Sequence, residues 1–118
     1  MGASFKDLVV WQKAIELTLS VYELTARFPH SERFGLINQL RRAAVSVPSN
    51  IAEGYGKTSK GEYVHFLGHA RGSVCEVQTQ LLISEKLGYG SQQHRVAAAE
   101  QAEHVSRMLN ALVAKLQA

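Results

Sequence analysis

The chain has 118 residues, 46% of them hydrophobic and 19% charged, with a net charge of +3. That length suits one domain, residues 1–118, and leaves no room for a second, while a single cysteine, Cys75, excludes an internal disulfide. No uncharged apolar run approaches the ~20 residues of a membrane-spanning helix, and Lys6, Asp7, Lys13 and Glu16 interrupt any secretory signal, so the expectation is a water-soluble, cytoplasmic protein with no membrane partner.

Ser4 and Asp7 have the spacing of a capping box. After them Val10, Ala14, Leu17, Val21, Leu24 and Phe28 recur at steps of four and three, a helical stripe that ends before Pro29. The same helix carries a second apolar line: Leu8, Trp11, Ile15, Leu19, Tyr22 and Ala26. At 100° per residue the two lines span roughly 220° of the cylinder, more than one core can use. Burying a large apolar side chain is worth ~1.5 to 3 kcal/mol. Leu8, Trp11, Ile15, Leu19 and Tyr22 are therefore the candidate interface to further copies of the chain, the alternative being cover from the termini or loops.

Ser31 is placed to cap a second helix along Ile37, Leu40, Ala44, Val47 and Ile51, which Gly54 and Gly56 stop. Pro48 stands inside it. Proline cannot donate to the carbonyl of Ala44 and crowds the preceding turn, a penalty near ~3 kcal/mol. If the second and third helices fold back about a turn near Thr58, Pro48 comes level with Gly68. The expectation is a kink pressed onto Gly68 and Gly72, with Ser46, Ser49 or Asn50 satisfying the freed backbone groups and Arg41 and Arg42 close to Glu76.

Ser59 and Glu62 form another capping box, followed by Tyr63, Leu67, Ala70, Val74, Val77 and Leu81 up to Gly88; Cys75 reads as a small core or near-core residue. Ser91 caps a fourth stripe of Ala98, Ala102, Val105, Leu109, Leu112 and Leu116. No segment reads as a strand. Four comparable helices joined by short turns predict an all-α, antiparallel up-down-up-down four-helix bundle.

Chemistry is hard to find in this chain. GYGKTSKG lacks the first glycine of a phosphate loop, since that position is Ile51. Glu62 and His65 make the Glu-x-x-His step of di-iron bundles, but none of the other histidines follows a glutamate by three, and His65 with His69 reads more readily as a solvated polar face. No catalytic residue, metal or cofactor is assigned. Arg41, Arg42, Lys57, Lys60 and Arg71 are the candidate phosphate contacts, each equally readable as solvated charge or as a partner of Glu53 or Glu76.

The segments FKDLVVWQKA, FPHSERFGLINQLRRAAVSVPSNIAEGYGK and EYVHFLGHARGSVCEVQTQLLISEKLGY resemble the four-helix-bundle family encoded in intervening sequences of bacterial 23S ribosomal RNA genes. Arg42, Pro48, Asn50, Glu53, Gly54, Gly72, Ser73 and Glu76 match the family signature, whereas the alanine-rich AAAEQAEH departs from it. The resemblance implies a closed bundle that assembles into a ring of five, similar to the accessory proteins of diversity-generating retroelements, which bind nucleic acid and a reverse transcriptase. It supplies no catalytic residues, and the ribosomal label reflects gene location. The expectation is a non-enzymatic homopentamer that binds RNA or DNA through basic surfaces. The alternatives are a protein-binding scaffold without a nucleic-acid role and a metal- or small-ligand-binding bundle.

Overall fold

The computed structural model describes residues 4–118, which form four α-helices and two 3-10 turns, with no strand among the described residues. The helices are α1 (Val9–Thr25), α2 (Leu36–Tyr55), α3 (Lys60–Leu87) and α4 (Gln92–Gln117). Each packs on two neighbours in the ring order α1, α2, α3, α4 and back to α1, and the diagonal pairs make no backbone contact among the described residues. The result is the antiparallel four-helix bundle, 43 × 23 × 21 Å. At 1.5 Å per residue the 28 residues of α3 reach about 42 Å, the whole length of the molecule. No helix is long and apolar enough to cross a membrane.

The four predicted stripes converge on one core, in which Leu17, Leu24, Leu40, Ile51, Leu67, Val105 and Leu109 are fully buried. The stripe of α4 shifts at its end: Val113 is buried, while Leu112 and Leu116 are only partly so. The helix ends differ from expectation at two places. The capping box of Ser4 and Asp7 is present but closes only the 3-10 turn Phe5–Asp7; extended Leu8 breaks it, and α1 starts at Val9. Ser31 lies within a second 3-10 turn, His30–Glu32, and α2 begins later, where Glu32 Oε1 accepts the N–H of Leu36 at 3.0 Å. A longer side chain thus reaches past Gly35 to do the capping. Glu32 also accepts the Tyr89 hydroxyl at 3.1 Å, tying the α1–α2 connection to the α3–α4 connection. In that second connection Gly90 has φ 72°, and a Cβ there would stand 2.6 Å from Leu24 Cδ1.

The helical run of α2 continues through Pro48, and the carbonyl that loses its donor is satisfied from outside the helix. Thr18 of α1 donates its hydroxyl to the carbonyl of Ala44 at 3.1 Å, sharing the same proton with the carbonyl of Ala14 at 2.9 Å. The expected local substitutes do other work: Asn50 Nδ2 donates to the carbonyl and hydroxyl oxygens of Ser46, and the Ser46 hydroxyl meets that of Ser73 on α3 at 2.7 Å.

The expected packing of Pro48 on Gly68 and Gly72 is incorrect. Pro48 is buried toward α1, beside Trp11, Ile15 and Thr18, whereas both glycines are exposed and a Cβ on either would meet nothing within 4 Å. Equal rise sets the height of a residue along the axis but not the side of the helix it occupies. With Leu67, Ala70 and Val74 turned inward, Gly68 points about 160° away from Ala70. Cys75 is exposed rather than near-core for the same reason, since Val74 and Val77 take the inward positions. Between α2 and α3 the close approach falls instead at Gly54, where a Cβ would lie 2.8 Å from that of Phe66.

Three outcomes are expected in urea unfolding. Thr18→Val leaves the Ala44 carbonyl unpaired and costs about 1 to 3 kcal/mol, a cost that shrinks in a Pro48→Ala background, where residue 48 regains an N–H. Gly68→Ala stabilises by about 0.4 to 1 kcal/mol, while Gly54→Ala destabilises. The hydrogen bond to Glu32, then burial, raises the Tyr89 phenol above the tyrosine value of 10.0, so its contribution is complete below that pH and is lost as pH rises beyond it. Tyr89→Phe therefore lessens the alkaline loss of stability.

Candidate interaction surfaces

The second apolar row of α1 is only partly covered. Trp11 packs edge-on against Phe5 of the first 3-10 turn, with ring centroids 5.3 Å apart, and Leu8, Trp11 and Ile15 are half-buried. Leu19 and Tyr22 remain 60% and 41% exposed. Beside this row α2 contributes Val45, itself 41% exposed. Between the two helices runs a groove of about 330 Å³ lined by Trp11, Ile15, Thr18, Val45, Pro48 and Ala52. Its floor is the proline and the threonine that answers it. Val45 was missed in the sequence because it lies 100° from the stripe that defines the core face of α2.

The candidate cations do not behave alike. Arg41 is a strut between helices: its Nε donates to Thr25 Oγ1 at 2.8 Å, Nη2 reaches the carbonyl of Tyr22 at 3.4 Å, and the guanidinium lies 4.3 Å from the centre of the Tyr22 ring. It turns toward α1 and away from α3, contrary to the expected approach to Glu76. Arg42 is exposed and shares a groove between α2 and α3 with Glu76 and Gln80. Among the described residues the ion pairs within 4.0 Å are Lys13–Glu16, His94–Glu23 and Arg107–Glu103, so neither Glu53 nor Glu76 neutralises an arginine. Lys57 stands 5.2 Å over the ring of Phe66; Lys60 and Arg71 are exposed. Arg42 on α2 and Lys57 and Lys60 at the α2–α3 turn thus present charge unpaired among the described residues, whereas Arg71 stands about 160° round α3 from Ser73, which faces α2, and about 20° from Leu82 on the α4 flank.

Other members of the expected motif divide in the same way. Pro48 and Asn50 act inside the bundle, Asn50 through Ser46, while Glu53, Gly68, Gly72 and Glu76 lie on its surface. Burial first and neighbouring Tyr55 second raise the Tyr63 phenol above its ordinary value, in keeping with its place under the C-terminal end of α2.

On the opposite side of the bundle, α3 and α4 expose a second apolar face that sequence reading missed. Leu82 and Val96 are 53% and 47% exposed, whereas the exposed Ile83 and Leu87 lie about 100° and 140° further round α3. A groove of about 350 Å³ between these helices has an apolar strip of Leu81, Leu82, Val96 and Ala99, rimmed by Gln78, Glu85, Gln92, Arg95 and Glu103. The signal was available in the run LLIS, where Leu82 follows the core residue Leu81. Among the described residues no three of the metal-ligating types His, Cys, Asp and Glu are grouped.

Comparison with solved structures finds the same fold in a crystal structure of a protein of unknown function from the S23 ribosomal protein family of Bacteroides thetaiotaomicron VPI-5482. The TM-score is 0.80 at 18% sequence identity, covering 89% of this chain and 98% of that one. No curated protein matches the chain. Residues 6–111 match the family described as 23S rRNA-intervening sequence protein, a span that includes the proline-bearing α2, the Ser46–Ser73 contact and both apolar faces. The chain belongs to the 23S rRNA-intervening sequence protein family.

Proposed function

We propose that the protein is a non-enzymatic, cytoplasmic interaction module that assembles head to tail into a closed ring of five and binds RNA or DNA through the free cations of its α2–α3 side. The observation that carries this reading is the pair of unlike apolar faces on opposite sides of one bundle: the α1–α2 seam with Leu19, Tyr22 and Val45, and the α3–α4 face with Leu82 and Val96. A two-fold dimer needs only one self-complementary patch, whereas a ring needs two different patches that fit each other. The number five comes from the family resemblance. Such a ring covers both apolar faces and leaves Arg42, Lys57 and Lys60 repeated around it. Five copies at +3 each carry +15, which favours phosphate contact at low salt.

Light scattering of the purified chain should give the mass of five copies. Leu19→Glu and Leu82→Glu should each abolish the ring while keeping helical circular dichroism, and the two variants mixed should form heterodimers through the one junction left intact. A wild-type chain that is a folded monomer at micromolar concentration contradicts the reading. For nucleic acid, affinity measured across a salt series should fall with a log-log slope of roughly −0.7 to −0.9 per phosphate contacted. Replacing Arg42, Lys57 and Lys60 by alanine should flatten it. Absence of binding at low salt removes the nucleic-acid role and leaves a protein scaffold.

A further inference from the structure

We infer that His65 and His69 form a bidentate site for a transition-metal ion of the Ni²⁺, Cu²⁺ or Zn²⁺ type on the surface of α3. The two residues stand one turn apart, where side chains four positions apart lie on the same helix face. Their Nε2 atoms are 3.1 Å from each other and both residues are exposed. Two nitrogens at that separation, each ~2.0 to 2.1 Å from a shared ion, subtend about 100° at it, between the octahedral and tetrahedral angles. In the metal-free pair one Nε2 donates to the other. Moving that proton to Nδ1 of the same ring frees both Nε2 lone pairs for an ion.

The rings also have an aromatic neighbour. Phe66 packs against both, edge-on to His65 with centroids 5.6 Å apart and tilted against His69 at 6.0 Å, while the two imidazoles meet at 89°. Phe66 is in turn fixed against Gly54 of α2. The pair thus abuts the α2–α3 packing through Phe66 on one side and faces solvent on the other. Glu62, one turn earlier on the same face, is engaged with Ser59 through its Oε1 and backbone N–H, so water completes the coordination shell. Two imidazoles select borderline ions over Mg²⁺ and Ca²⁺, which prefer oxygen. Gly68 lies between the ligands, and Gly61 and Gly72 flank them at positions open to solvent. Glycine weakens a helix, so a chelate across this turn supports the stretch of α3 that most lacks intrinsic helicity.

The test is isothermal titration of Ni²⁺ into the chain without any polyhistidine tag, run on the wild type and on the Leu19→Glu variant so that the result does not depend on assembly. Saturable binding of one ion per chain is expected, reversed by acid because protons compete for the imidazoles, and absent with Mg²⁺. His65→Ala and His69→Ala should each abolish it and should also remove a Ni²⁺-induced rise in the unfolding midpoint. No binding up to millimolar Ni²⁺, or binding that persists in the double variant, overturns the assignment.

Discussion

The carbonyl of Ala44 is the point on which the molecule turns. Pro48 deprives it of a helical donor, and a buried carbonyl without a partner costs about 1 to 3 kcal/mol, a large share of the ~5 to 15 kcal/mol that holds a domain together. The hydroxyl of Thr18 fills that gap from a different helix. A defect internal to α2 thereby becomes a contact between α1 and α2. It sets their height relative to one another, since the hydroxyl meets this carbonyl at only one register. Arg41 repeats the theme one turn earlier, running from α2 to Thr25 and the Tyr22 carbonyl of α1.

That register has consequences at the surface. With Thr18 under Ala44, the line Trp11, Ile15 and Leu19 runs beside Val45, Pro48 and Ala52, and the two helices together make an apolar seam that neither would make alone. On the other flank of α2 the Ser46–Ser73 contact, steadied by Asn50, fixes α3. The helix with the breaker in it is thus held by side-chain contacts on both sides, and one of the two faces proposed for assembly, together with the surface proposed for nucleic acid, borders it. The metal site follows from the same packing, because Phe66 sits between the close approach to Gly54 and the two histidines.

Much of this was legible in the chain. Periodicity placed the core because helices bury the residues that repeat every three or four positions, and Leu17, Leu40, Val74 and Leu109 are where that rule puts them. Azimuth was harder. Height along the axis alone sets Pro48 against Gly68, but a step of 100° per residue separates an inward Leu67 from an outward Gly68. The answer to the proline was also out of reach, because Thr18 is 26 residues from Ala44 and nothing in the spacing of α2 points to it. The α1 row was visible because it is long. Val45 and the α3–α4 face were not, being single apolar residues that acquire meaning only once a neighbouring helix supplies the rest. Arg41 and Arg42 look interchangeable in sequence and differ in structure by which side of α2 they leave.

The most direct measurement is infrared spectroscopy of the chain carrying an isotope label at the Ala44 carbonyl alone. A hydrogen bond lowers the amide I frequency. The account predicts that the labelled band lies at a bonded position in the wild type, stays there in Thr18→Ser, and moves to higher frequency in Thr18→Val while the helix content is unchanged. A band at the same frequency in Thr18→Val would show that the carbonyl never depended on α1, and the link from proline to seam would be broken.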